Sequence, residues 1–245
     1  MPFTFAHPAI VLPFGYLPQR WVSMTGLIIG SLAPDFEYFL RMKVQSNYSH
    51  TFAGIFWFDL PLAVLLAFVF HGIVRNPLIE NAPKFLYQRF SPFQNFSWPQ
   101  YFKTNILIVI LSCLIGALTH ILWDSFTHES GFVISNIPFL KSSLLIIGKE
   151  IPVYKLLQHS STSLGFLIIS YTLWNLPKAI VLQRSKEKPF WIIVLLIALL
   201  VMLLKFFTGL HISAYGNIIV TCISAVFIGL LASSVFCKLS FRKAG

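Results

Sequence analysis

The chain has 245 residues, of which 56% are hydrophobic and 11% charged. Soluble domains carry about 25% charged residues, so a water-soluble globular protein is excluded and an integral membrane protein is implied. The formal net charge of +10 comes from Lys and Arg residues that mostly flank apolar runs, which fits anionic headgroups and membrane topology and argues against nucleic acid as a partner.

The opening MPFTFAHPAIVLPFG lacks a basic start and a small-residue cleavage site, so a signal peptide is not expected. Residues 1–50 are apolar but broken by Pro8, Pro13, Pro18 and Pro34. Pro18 suits the first turn of a helix over 19–33, too short to span a bilayer. Pro34-Asp35-Phe36-Glu37 reads as the start of another short helix. The first span is predicted at 51–74, with Asp59 and Pro61 inside it, and an interfacial amphipathic helix at 76–90. Further spans are predicted at 103–127, 154–176, 189–207 and 212–236, with a short helix over 139–147 in the connector. The expectation is an all-α polytopic protein of about five spans plus short N-terminal helices. Residues 1–176 carry the candidate site, and 177–245 add two C-terminal spans of the same domain. Cys113, Cys222 and Cys237 have no paired spacing and read as small buried hydrophobes.

The chemistry concentrates in GALTHILWDSFTHESG, residues 116–131. His120, Asp124 and His128 follow one another at intervals of four, which places them on one helical face. Two imidazoles and a carboxylate there can share a divalent cation, and an ionisable residue beside lipid marks a functional site. The alternative is that Asp124 pairs with a histidine to hold two helices together.

Five spans put the termini on opposite sides. One side collects Arg75, Lys84, Arg89, Lys103, Lys178, Arg184, Lys186, Lys188, Lys238, Arg242 and Lys243. The excess of basic residues makes that side, with the C-terminus, cytoplasmic. His7, Asp35, His50, His120, Asp124 and His128 then gather at the outer face, and His71 falls at the opposite end of its span. Six such residues can serve one or two Zn²⁺-like ions with a position for water, and an Asp bridging two metals about 3.5–4 Å apart suits phosphoester hydrolysis. Asp59 reads as support for a ligand histidine or as a helix–helix hydrogen bond. Glu37 reads as solvated, His71 and His211 as structural, and His159 as a reserve ligand.

MPFTFAHPAIVLP, GSLAPDFEYF, NYSHT and GALTHILWDSFTHESG resemble an uncharacterised bacterial membrane-protein family over about the first 170 residues. More distantly the pattern resembles YdjM-type inner-membrane proteins, described as metal-dependent hydrolases, and through them zinc-dependent phospholipase C and the single-strand-specific zinc nucleases. The resemblance implies a phospholipase C-like helical metal site, with His7, Asp35, His50, His120 and Asp124 as ligands and His128 as a further one. It implies zinc as the cofactor and Asp35 and Asp124 as the catalytic carboxylates. The chain departs from the phospholipases by keeping residues before His7, and by having Ser163 four residues after His159 where they have a Glu. The expected function is a membrane-bound metal-dependent phosphoesterase acting on a lipid or lipid-linked substrate at the outer face of a bacterial inner membrane. A transporter and a non-catalytic scaffold with a structural metal are the competing classes.

Overall fold

Apolar runs bounded by Pro and Gly fold as helices because only a helix satisfies every backbone group inside lipid. The structure is a computed structural model and describes residues 3–180 and 189–242. Arg184, Lys186, Lys188 and Lys243, used above for orientation, lie outside the described residues. The helices are α1 Pro8–Val11, α2 Met24–Arg41, α3 Phe52–Glu80, α4 Lys84–Phe90, α5 Trp98–Thr104, α6 Ile106–Ser125, α7 Phe132–Asn136, α8 Pro138–Lys141, α9 Val153–Asn175, α10 Phe190–Phe207 and α11 Tyr215–Arg242. Strands β1 Ser143–Ile146 and β2 Lys149–Pro152 pair antiparallel, from Ser143 opposite Pro152 to Ile146 opposite Lys149.

The chain divides into two compact units. The first comprises Met1–Asp35, Tyr48–Val64 and Asn105–Asn175. Its centre is the crossing of α2 and α6. A Cβ on Gly30 would fall on the Cys113 backbone, and one on Gly116 on the Leu27 carbonyl and the Ser31 amide. Small residues let two backbones approach this closely where lipid provides no hydrophobic drive between helices. The Ser23 amide donates to Ser112 Oγ at 2.8 Å, tying the start of α2 to α6. The N-terminal turns pack on α9, where Gly165 leaves room for Ala6 and Thr162 Oγ1 accepts from the Phe3 amide at 3.1 Å.

The second unit comprises Phe36–Asn47, Leu65–Thr104 and Leu176–Gly245. Within it α10 and α11 form an antiparallel pair, with Gly229 against the Val194 backbone. Arg75 is buried, has no carboxylate partner among the described residues, and donates to the carbonyls of Phe96 at 2.7 Å and Gln94 at 2.9 Å.

Several expectations are corrected. Helix α2 starts at Met24, after a cap by Ser23, and runs through Pro34 to Arg41. Pro34 has no N–H for the Gly30 carbonyl, yet the helix continues, so the proline does not open a second one. Helix α3 runs on to Glu80 through two π-turns, Ile55–Asp59 and Phe70–Val74. The first leads into Pro61 and absorbs its missing hydrogen bond. Asn105 breaks the predicted 103–127 span into α5 and α6. The segment 139–147 is a short helix followed by a hairpin strand, because Leu144 to Ile147 is a β-favouring run closed by Gly148.

Among the described residues four helices, not five, are long and apolar enough to span: Phe52–Glu80, Ile106–Ser125, Phe190–Phe207 and Tyr215–Leu239. Helix α9 has the length but not the composition. Its first half carries Lys155, Gln158, His159 and the hydroxyls of 160–163, and Lys155 and His159 are exposed.

The α2–α6 contact generates a prediction. Gly30→Ala should force the helices apart and cost about 1–3 kcal/mol, as overpacking does. It should appear as a lower thermal midpoint in detergent. Gly72→Ala, where a Cβ meets nothing within 4 Å, is the control, and an equal loss from both variants would rule out the close crossing as the cause.

Candidate metal centre

Asp35, His50, His120 and Asp124 converge in the first unit, each offering one atom, and the four atoms lie within 4.8 Å of one another. His50 Nε2 is 3.4 Å from Asp35 Oδ1 and 3.5 Å from Asp124 Oδ2. His120 Nε2 is 3.5 Å from Asp35 Oδ1 and 3.3 Å from Asp124 Oδ2. Charge-assisted N–H···O bonds measure about 2.7–2.9 Å, so these pairs are too long for direct hydrogen bonds. Two atoms each about 2.0–2.1 Å from a tetrahedral cation are about 3.3–3.4 Å apart. The four His–Asp separations are close to that ligand–ligand distance, and all four atoms lie within 4.8 Å of one another, close enough to share one cation.

The remaining atoms of these side chains are committed elsewhere. His120 Nδ1 donates to the Ser31 carbonyl at 2.7 Å, which fixes the tautomer and leaves Nε2 with its lone pair. Thr4 Oγ1 donates to Asp35 Oδ2 at 2.5 Å, so Oδ1 is the oxygen turned to the cluster. His50 Nδ1 lies 3.0 Å from Ser49 Oγ. Asp35 Oδ1, His120 Nε2, both Asp124 oxygens and both His7 nitrogens are buried without hydrogen-bond partners among the described residues. That accumulation is costly unless a further group satisfies it.

His7 stands beside the cluster. Its ring stacks on His120 with centroids 3.7 Å apart and planes 17° apart, and the Trp123 ring meets it edge-on. His7 Nε2 lies 3.5 Å from Asp124 Oδ1, the oxygen that His50 and His120 do not face. Burial, reinforced by the neighbouring His120, pushes the His7 imidazole down to about 3, so it is neutral and able to coordinate. His128 follows the end of α6 in one more helical turn, its amide bonded to the Asp124 carbonyl at 2.9 Å. Its Nδ1 lies 3.1 Å from that carbonyl and 3.6 Å from Asp124 Oδ1. His128 therefore sits at the rim with Nδ1 engaged.

Charge arranges the same residues. Burial acts to raise the Asp35 carboxyl, but the adjacent His120 and His50 hold it below the usual carboxylate range. Burial likewise opposes charge on His50, and Asp124 and Asp35 raise it above its ordinary value. The side chains of His50 and His128 are 20% and 28% exposed, against 0% for His7 and His120, so the centre opens on the His50–His128 side. His50 is held at φ 58°, the left-handed region. A non-glycine residue there costs of order 1–3 kcal/mol and concentrates at functional sites.

The other candidates lie apart from this group. Asp59 is fully buried in the π-turn that packs on α6. Glu37 is not solvated: in the second unit it binds Arg41 at 2.7 Å, the Asn47 amide at 2.9 Å and Ser46 Oγ at 3.1 Å. His71 stacks on Trp98 and contacts Arg75, and His159 and His211 are exposed. Sequence reasoning missed Thr4 and the Ser31 carbonyl, because neither belongs to a spacing pattern.

The chain matches, over residues 1–235, the family model described as Domain of unknown function (DUF4184), and it belongs to that family. No curated protein and no solved structure matches it.

Thr4 supplies a test of the geometry. Thr4→Val should free Asp35 Oδ2 and weaken metal binding about 10–100-fold, as loss of a supporting hydrogen bond does. Thr4→Ser should restore it. Titration of purified protein with a divalent metal measures both, and equal affinities for Thr4→Val and the unmodified chain would remove Thr4 from the site.

Proposed function

We propose that this protein is a membrane-bound, metal-dependent hydrolase, most simply a phosphoesterase whose substrate is a lipid or lipid-linked phosphoester. The observation that carries the reading is the convergence of Asp35, His50, His120 and Asp124, whose facing atoms lie within 4.8 Å of one another. Two carboxylates and neutral imidazoles balance one divalent cation, and a set of His and Asp ligands suits zinc.

A second position is supported by the stacked rings. His7 and His120 are nearly parallel, so their Nε2 lone pairs address two points rather than one. They face different oxygens of Asp124 across a ring spacing of 3.7 Å, and paired metals in phosphoester hydrolysis stand about 3.5–4 Å apart. Asp35, His50, His120 and Asp124 would hold one cation, and His7 with Asp124 could contribute to a second. When bound, the metal lowers the pKa of water and neutralises charge at a phosphoryl oxygen. The protein's own part is orientation. Asp35, held by Thr4, and Asp124 would hold the cation that takes the phosphoryl oxygen, and the His50–His128 opening would admit the substrate. The motif resemblance to YdjM-type proteins and phospholipase C supports the same chemistry.

A non-catalytic scaffold has its own supporting observation. Four protein ligands close a tetrahedron, which is the habit of structural sites. Metal analysis and hydrolysis assays on detergent-purified protein distinguish the two. We expect about one or two metal ions per chain and turnover of phosphoester in mixed micelles. His120→Ala should lose metal, turnover and thermal stability, because a ligand bound only to the folded state stabilises it. His71→Ala should lose none of these. Stoichiometric metal without turnover on any phosphoester would establish the scaffold, and full metal in His120→Ala would dismiss both readings.

The count of candidate spans bears on the side. Were α9 not to cross, residues 3–51 and 126–180 would fall on one face of the membrane with the end of α11. That face then holds most of the basic residues, including Arg41, Lys43, Lys141, Lys149, Lys178 and Lys238, and by the basic-residue rule it is cytoplasmic in a bacterial inner membrane. The C-terminus stays cytoplasmic under four or five spans. The centre moves from the outer to the cytoplasmic face. Reporters fused at each end should both be active in the cytoplasm, and an N-terminal reporter exposed outside would restore the fifth span.

A further inference from the structure

The turn of the β1–β2 hairpin is built against the conformational preference of its own residue. Ile146 pairs with Lys149, which leaves Ile147 and Gly148 as a two-residue loop. Both have positive φ, 50° and 73°, as the twist of such a hairpin requires. Asn or Gly adopts that conformation readily, and a β-branched residue there is an outlier. Ile147 is nevertheless 97% exposed, so no packing within the chain offsets the strain. Its surroundings repeat the pattern, with Leu145 75% and Phe139 64% exposed. In water this is a poor design: a lone two-stranded hairpin is marginal, and consecutive exposed apolar residues are a liability. In lipid both features become favourable.

The position of the connector puts lipid within reach. Helix α6 has 20 residues, about 30 Å, which equals the hydrocarbon thickness of a bilayer. The chain therefore leaves α6 near the headgroups, and the connector begins there. Lys141 at the end of α8 and Lys149 beside the turn are both exposed. Glu150, the acidic residue of the hairpin, sits back from the tip opposite Leu145. Apolar tip residues flanked by lysines match the acyl boundary and the phosphates above it.

We propose that residues 143–152 are an interfacial lipid anchor. Ile147 and Leu145 enter the acyl boundary of the adjoining leaflet, and Lys141 and Lys149 bind the phosphates of anionic lipids. The hairpin backbone stays at headgroup level, because its two unpaired edges need water. This assignment does not depend on the hydrolase reading.

The test uses the full chain in lipid nanodiscs. A fluorophore is placed on Ile147→Cys in a Cys222→Ser background, since Cys222 is exposed and Cys113 and Cys237 are buried. In discs of phosphatidylcholine with phosphatidylglycerol, nitroxide-labelled lipid should quench the label and aqueous iodide should not. Adding Lys149→Gln should reduce the preference for anionic over neutral lipid about fivefold. In the unmodified protein, hydrogen exchange over 143–152 should slow when anionic lipid replaces neutral lipid, which checks the result without a substitution. Ile147→Asn should keep the hairpin formed in detergent while abolishing that slowing. A label quenched by iodide and not by lipid would overturn the anchor. So would a label shielded from both quenchers, which would mark contact with a second copy or another protein.

Discussion

Two buried carboxylates set the terms for the first unit. Asp35 and Asp124 are 0% and 5% exposed, and their ion-pair partners among the described residues are all histidines. A buried carboxylate without a compensating charge is costly enough to change its ionisation or the fold around it. Lys or Arg would supply a fixed charge and close the matter. Histidines leave it open, because an imidazole can take up a proton or, when neutral, present a lone pair to an added cation. The backbone geometry serves that need. The glycine-lined crossing of α2 and α6 brings Asp35 within reach of His120, and the Ser31 carbonyl turns that imidazole so that Nε2 faces inward.

The same constraint accounts for two local irregularities. Pro34 interrupts the hydrogen bonds of α2 one residue before Asp35. His50 occupies the left-handed region, and its ring reaches both carboxylates from there. The Thr51 side chain caps the following helix by accepting from the Gly54 amide, which fixes where the strained residue sits. The cap on one side and the two carboxylates on the other hold the residue in that conformation.

The clustering of these residues was partly legible in the sequence because helical spacing and burial cost are local rules. His120 and Asp124, four apart in an apolar run, needed no tertiary information. Asp35 and His50 were reached by their place in the pattern of motifs, and the structure brings both to α6. The Thr4–Asp35 bond spans 31 residues and the Ser31–His120 bond 89, and contacts of that separation leave no periodic trace. The helix boundaries failed where context overrode a single residue. Pro34 reads as a start signal and lies inside a helix, Asn105 separates two helices within the span predicted at 103–127, and the π-turns of α3 have no sequence period at all. The fifth span failed differently: α9 has the length, but length was weighed without its polar first half.

That polar half has a physical role in the unit. Ser160, Thr162 and Ser163 donate to carbonyls one turn back at 2.7, 2.8 and 3.0 Å, so their hydroxyls are satisfied without water. Thr162 also accepts from the Phe3 amide, and Gly165 beside it makes room for Ala6. A wholly apolar α9 would bury the same area but would leave the Phe3 amide without this acceptor. The segment docked there carries Thr4 and His7, which hold Asp35 and stack on His120. Hydropathy is thus exchanged for a polar seat that positions the N-terminal turns, and those turns in turn complete the centre around Asp124. The residue pattern that removes α9 from the set of spanning helices is the one that ties the beginning of the chain to its candidate metal site.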